Sequence, residues 1–242
     1  MKKHIPNFIT CLNLVCGCLA ITSIFHKALD MAAYLIAIAA VLDFLDGAVA
    51  RLLHVKSEIG KQLDSLADMV TFGVAPGFIM YQLLTTSIYE KYGMLQPSDA
   101  TWYIAYVSLL IPVFSAVRLA KFNVDTRQSE SFIGVPTPAN TILIASFPLI
   151  LIFQPESFLA PWLHHTNVLI AITIVASLLM VAEIPLFSLK FKSLAWADNK
   201  IRFVFLAVSL LLLLTLKFVA LPMIIILYVV LSLLNNTIKI FQ

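Results

Sequence analysis

The chain has 242 residues, 61% of them hydrophobic and 12% charged, with a mean hydropathy of +0.96. Soluble domains average roughly 45–50% apolar and about 25% charged residues, so this composition excludes an ordinary water-soluble globule and predicts an all-α, polytopic membrane bundle. The net charge of +3 is too small to suggest a nucleic-acid partner, and the placement of the charges says more than their sum.

The first apolar run starts directly after Met1-Lys2-Lys3 and lacks a small-residue cleavage site, so it is expected to be a retained span and not a signal peptide. Its three cysteines, Cys11, Cys16 and Cys18, are odd in number and sit within lipid, where cysteine behaves as a small hydrophobe. A bilayer core of ~30 Å takes ~20 helical residues, and such runs fall near 7–26, 31–53, 62–87, 101–122, 138–154, 167–188, 201–216 and 219–236. The last two are short and separated only by Lys217 and Phe218, so they read as a hairpin or a partly re-entrant segment. Pro6, Pro136, Pro138, Pro161 and Pro222 lie at or near boundaries, where a missing N–H does least harm. Pro112, Pro148 and Pro185 fall inside the predicted spans and are expected to kink them. The connections are at most about fifteen residues long, so the chain reads as a single membrane domain over 1–242.

With eight spans, thirteen basic residues fall on the side of the N-terminus: Lys2, Lys3, Arg51, Lys56, Lys61, Arg118, Lys121, Arg127, Lys190, Lys192, Lys200, Arg202 and Lys239. Only Lys27, Lys91 and Lys217 fall on the other. The positive-inside rule then places both termini in the cytoplasm of a multi-pass protein of the cell (inner) membrane. His164 and His165 fall on the opposite surface. Glu183 is expected deep in the sixth span, near a basic residue at its boundary and without a catalytic role.

Four carboxylates break the apolar pattern: Asp43, Asp46, Asp64 and Asp68. An ionised acid costs ~2.5 kcal/mol or more at a bilayer centre, so the cluster needs a cation. On helices, spacings of three and four project each pair from one face, and both pairs fall at the cytoplasmic ends of spans two and three. Hard oxygen donors without a nearby cysteine or suitably spaced histidine favour Mg²⁺ or Mn²⁺ over zinc. Two such ions would neutralise a diphosphate, while one acid accepts a proton from an attacking hydroxyl. Ion pairing with Arg51, Lys56 and Lys61 is the plainer alternative. Gly47, Gly60, Gly73 and Gly77, four of the seven glycines, crowd around the acids and permit close approach of helices or a ligand. Asn7, Thr10 and Asn13 share one face of the first span, close enough to its cytoplasmic end to meet a nucleotide or to hydrogen-bond between helices.

Written as Asp43-x2-Asp46-Gly47-x2-Ala50-Arg51-x8-Gly60-x3-Asp64-x3-Asp68, the stretch resembles the signature of the CDP-alcohol phosphatidyltransferase family at every fixed position. The resemblance implies a six-helix catalytic core, here about 1–200 with a C-terminal hairpin at 201–236, in a homodimer. It further implies transfer of a substituted phosphate group from a CDP-linked donor to an alcohol, with release of CMP. Carried over, Asp43, Asp46 and Asp64 are metal ligands, and Asp68 completes the site and serves as general base. Gly47 and Ala50 line the nucleotide pocket, and Arg51 supports that loop or the donor.

The flanks resemble the serine-using branch of the family. Asp64-Ser-Leu-Ala-Asp68-Met69-Val-Thr-Phe-Gly-Val-Ala-Pro76 lacks the lysine that usually follows the last aspartate in glycerol-phosphate users. Pro6-Asn7-x-x-Thr10-x-x-Asn13-Leu-x-x-Gly17 is similar to the entry helix of that branch. Arg118-Leu-Ala-Lys121-Phe-Asn123, followed by Phe132-x-Gly134-x-Pro136-x-Pro138-Ala139, is similar to two further segments, with Lys121 in place of an arginine and so without its bidentate fork. The implied donor is CDP-diacylglycerol and the implied acceptor L-serine, with Arg118 and then Lys121 as candidates for the serine carboxylate or donor phosphate. The competing readings are another acceptor, glycerol 3-phosphate or an inositol phosphate, and a divalent-cation transporter. A transporter would want acids on the far half of the spans, where none is predicted.

Overall fold

The structure is a computed structural model and describes residues 4–55, 57–93, 100–125, 132–187 and 196–238. Lys2, Lys3, Lys56, Arg127, Lys190, Lys192 and Lys239, seven of the thirteen cations in the charge count above, lie outside the described residues.

The first helix, α1 (His4–Phe25), buries Pro6, Thr10, Asn13, Gly17, Ala20 and Ile24. That three-and-four spacing is one helical stripe, and its mostly small residues let α2 (Leu29–Leu52) lie close against it. The opposite face, with Phe8, Val15 and Leu19 exposed, is apolar as a lipid-facing surface requires. Lys27, at φ 61°, reverses the chain between the two helices.

Ser57 caps α3 (Glu58–Asp68) by accepting the Gly60 N–H at 3.2 Å. A π-helical stretch, Met69–Val74, joins it without interruption to α4 (Ala75–Tyr92), making one rod of 35 residues. A 3₁₀ stretch, Ala100–Leu109, continues into α5 (Leu110–Val124). Next come strand β1 (Phe132–Ile133), the largely buried α6 (Thr137–Phe153), the short α7 (Ala160–Leu163) and α8 (Thr166–Val181). Strand β2 (Pro185–Leu186) pairs antiparallel with β1. Helices α9 (Trp196–Leu216) and α10 (Ala220–Ile238) close the described chain as a hairpin.

Among the described residues, five helical stretches are long and apolar enough to cross a membrane: His4–Phe25, Leu29–Leu52, Glu58–Tyr92, Trp102–Val124 and Asn199–Asn235, the last containing most of α9 and α10. Helices α6 and α8 are apolar but shorter, at 17 and 16 residues. The chain is thus an all-α polytopic membrane protein, and each expected apolar run contains a helix, the sixth only as far as Val181.

Three expectations need correction. Helix α8 stops at Val181, so Pro185 lies in a strand beyond it and kinks nothing. Proline disfavours helical geometry in the residue before it and lacks the donor a helix would use. Glu183 consequently sits past the helix end and is exposed, not deep in a span. Pro112 falls in the first turn of α5, where the preceding 3₁₀ geometry already accommodates its missing donor, whereas Pro148 does lie inside α6. In addition, Asp30 and Glu90 occupy terminal turns of α2 and α4 at the end away from the four aspartates, and Glu90 pairs with His164 at 3.0 Å.

The main core joins α1, α2, α4, α6 and α8 through residues such as Ile36, Phe72, Ile79, Met80, Ile144 and Leu169. A second cluster, Val135, Leu186, Phe205 and Tyr228, seats the hairpin on the β1–β2 segment. At the other end of the hairpin, Gln154 closes the 3₁₀ turn Lys217–Val219: its Oε1 accepts from the Phe218 and Val219 amides at 2.8 and 3.2 Å, and its Nε2 donates to the Leu216 carbonyl at 3.1 Å. Such bonds contribute about 1 kcal/mol each. Replacing Gln154 by Ala is therefore expected to destabilise the protein by about 2–3 kcal/mol, measured as a shift of the denaturation midpoint in detergent. An unshifted midpoint contradicts this role for Gln154.

Candidate functional site

All four aspartates gather at the end of the bundle where α1 begins, α2 ends and α3 begins. Carboxylate oxygens of Asp43, Asp64 and Asp68 all lie within 4.8 Å of one another. Asp46, only 6% exposed, stands beside them, and its charge is felt by all three. Helix α1 supplies the supports: the Thr10 hydroxyl donates to Asp46 Oδ2 at 2.5 Å, and the Asn13 amide donates to Asp68 Oδ1 at 3.4 Å. Asn7, the third member of the expected face, is half-buried, and its Oδ1 lies 2.8 Å from where a Cβ on Gly60 would be. Thr10 and Asn13 therefore reach the carboxylates, while Asn7 packs on the first turn of α3.

The alternative of ion pairing with Arg51 and Lys61 is not what the described residues contain, and Lys56 lies outside them. Among the described residues, no basic side chain lies within ion-pair range of the four aspartates. Arg51 is exposed, and Lys61 donates to the Asn123 carbonyl at 3.1 Å. Three converging carboxylates with neither cysteine nor histidine among them are the donor set a hard divalent cation prefers. The residues present fit such an ion.

One face of the cluster is open. A Cβ on Gly47 would meet only the Arg51 guanidinium, Nη1 at 3.4 Å, and Ala50 follows one turn later on the same helix. The opposite face is closed by the π-helical stretch, which begins one residue after Asp68. There, Thr71 donates to the Asn13 carbonyl at 3.3 Å and Thr141 of α6 donates to the Phe72 carbonyl at 2.7 Å. A π turn inserts a residue into the α-helical repeat and frees backbone groups for such partners, and it is frequently found at functional sites. Hydrophobic periodicity does not reveal it. The nearest signal is the small-residue run Gly73-Val-Ala-Pro76-Gly77.

Arg118 of α5 borders the cluster from the other side. It is 6% exposed, the charge of Asp68 acts on it, its Nε donates to the Val135 carbonyl at 2.8 Å, and its Nη2 has no partner. Asn123 fastens the end of α5 to α3 by donating to the Ser65 hydroxyl at 2.8 Å. Lys121 is exposed, and with Arg118 it lines a cavity of about 320 Å³ between the ends of α5 and α8. His164 and His165 lie at the opposite end of the bundle, as expected.

The contact between Gly17 and the π stretch sets how closely α1 approaches. A Cβ at Gly17 would collide with Thr71 Oγ1 and stand 3.0 Å from Thr71 Cα. Gly17→Val is expected to push α1 off the π stretch at a cost of about 1–3 kcal/mol and to weaken the Asn13–Asp68 contact. Denaturation in detergent and divalent-ion titration should both show the change, and wild-type values in both would contradict it.

Residues 3–179 match the family described as CDP-alcohol phosphatidyltransferase. A CDP-diacylglycerol–serine O-phosphatidyltransferase of Helicobacter pylori strain J99 is 39% identical over 141 residues, covering 57% of this chain and 54% of the relative. A protein of the same name from Bacillus subtilis strain 168 is 35% identical over 140 residues, covering 56% of this chain and 70% of the relative. An archaetidylserine synthase of Methanothermobacter thermautotrophicus is 32% identical over 150 residues, covering 60% of this chain and 58% of the relative. The chain spans about half the length of the Helicobacter relative it matches. With the family match covering well over half of the sequence and the aspartates of its signature brought together in space, the chain belongs to the CDP-alcohol phosphatidyltransferase family.

Proposed function

We propose that this protein transfers the phosphatidyl group of CDP-diacylglycerol to the hydroxyl of L-serine, giving phosphatidylserine and CMP. The observation that carries the reading is the convergence of Asp43, Asp64 and Asp68 within 4.8 Å at one end of a membrane bundle, in a chain whose relatives bear serine phosphatidyltransferase names. Met69 in place of a lysine after Asp68 supports serine over an acceptor that brings its own phosphate.

Asp43, Asp46, Asp64 and Asp68 would hold divalent ions, Mg²⁺ or Mn²⁺ and two in number, which would supply neutralising charge to the donor diphosphate and the leaving oxygen. The side chains do the rest. Asp68, oriented by Asn13, accepts the serine hydroxyl proton; the serine oxygen bonds to the phosphorus that bears diacylglycerol, and the bond from that phosphorus to CMP breaks. Thr10 holds Asp46 in place. The open face at Gly47 and Ala50 admits the nucleotide, with Arg51 beside it and Asn7 at the edge of the site, while Arg118 and Lys121 attract anionic groups of acceptor or donor. Acyl chains stay in the bilayer while the reaction proceeds at its surface. The site end is cytoplasmic, as the positive-inside distribution supports, in a homodimer of the cell membrane.

Asp68→Asn keeps the size and the Asn13 contact but cannot take the proton. Turnover in that variant should fall by at least 10²-fold, in line with the contribution of a general base, while divalent-ion-dependent binding of CDP-diacylglycerol is retained. Near-wild-type CMP release overturns the assignment of Asp68 as base.

A further inference from the structure

The cavity beside the carboxylates carries charges of both signs. Arg118, Lys121 and Asp125 come from the end of α5, Met180 from α8 and Glu183 from the segment just beyond it, with Ile133 of β1 completing an apolar wall. Its volume of about 320 Å³ suits a small polar molecule. Arg118 is a built anchor: 94% of its surface is buried, its Nε is spent on the Val135 carbonyl, and its Nη2 is left without a partner. A buried guanidinium N–H without an acceptor costs more than most unmade hydrogen bonds, and an incoming carboxylate would satisfy it. Arg118 also relates the cavity to the reacting groups, since the charge of Asp68 acts on its guanidinium.

We infer that Glu183 is the residue that selects an amino-acid acceptor: it binds the ammonium group of a zwitterion whose carboxylate is held by Arg118, with the hydroxyl left facing Asp68. The inference rests on the serine reading above and deepens it. A lone anion pocket would need only cations, yet the Glu183 carboxylate lines this one. Against an acceptor phosphate, Glu183 sets like charge against like, which disfavours binding; against an ammonium, the same carboxylate attracts. Sequence patterning conceals the residue because Glu183 reads as part of an apolar span, whereas the end of α8 at Val181 frees it to line the cavity.

The test compares L-serine with 3-hydroxypropionate, which keeps the hydroxyl and carboxylate but lacks the amine, using purified full-length protein, CDP-diacylglycerol and Mg²⁺ or Mn²⁺. Wild type is expected to favour L-serine by at least tenfold in kcat/KM. Glu183→Gln should raise KM for serine about tenfold, leave KM for CDP-diacylglycerol and kcat nearly unchanged, and bring the two acceptors to within about twofold; Glu183→Asp should restore part of the preference. Glu183 is exposed and outside the helices, so a fall in kcat with an unaltered acceptor ratio is a merely structural effect and overturns the inference. An unchanged serine preference in Glu183→Gln likewise overturns it while leaving serine as acceptor intact. Wild-type protein that ignores serine and uses a phosphorylated alcohol overturns the serine reading itself, and the inference with it.

Discussion

Mutual repulsion among the carboxylates of Asp43, Asp64 and Asp68 is the interaction on which the rest of the site depends. At 4.8 Å separation and an effective dielectric of about 20, two unit charges repel by roughly 3–4 kcal/mol, and the cluster contains three such pairs with Asp46 adjacent. No lysine or arginine among the described residues lies within ion-pair range of them. A divalent cation held among the carboxylates would offset this repulsion.

Holding like charges together requires a stiff frame, and α1 provides it. Its buried stripe alternates close packing at Gly17 and Ala20 with hydrogen bonds from Thr10 and Asn13 to the two aspartates they face. Beyond Asp68, the π stretch exchanges α-helical hydrogen bonds for contacts to Thr141 and packing against Gly17. The frame thus extends from the site into the core through α6. The hairpin α9–α10 completes it by burying Phe205 and Tyr228 against Val135 and Leu186, beside the carbonyl that anchors Arg118.

Much of this architecture could be read from residue order. Apolar runs long enough to span a bilayer located each main helix, and acids at spacings of three and four located the site, because both are consequences of local periodicity. The features that escaped notice depend on geometry that periodicity does not encode. The π stretch at Met69–Val74 keeps an unbroken helical pattern while shifting its register. Past the end of α8 at Val181, Pro185 pairs with Ile133 across two short strands, a tertiary contact invisible in an apolar window. Asn7 sits on the polar side of α1 with Thr10 and Asn13, yet only the latter two meet carboxylates, because the crossing of α1 over α2 and α3 decides which turn reaches which acid.

The central claim is that an oxygen-only carboxylate cluster directs phosphatidyl transfer to serine. Its most direct measurement is CMP release and lipid product from purified wild-type protein given CDP-diacylglycerol, Mg²⁺ or Mn²⁺, and in turn L-serine, glycerol 3-phosphate and an inositol phosphate. The account predicts phosphatidylserine, formed only with the divalent ion present and abolished by chelation. Turnover that persists in chelator, or a product built on a phosphorylated alcohol with none on serine, would contradict it.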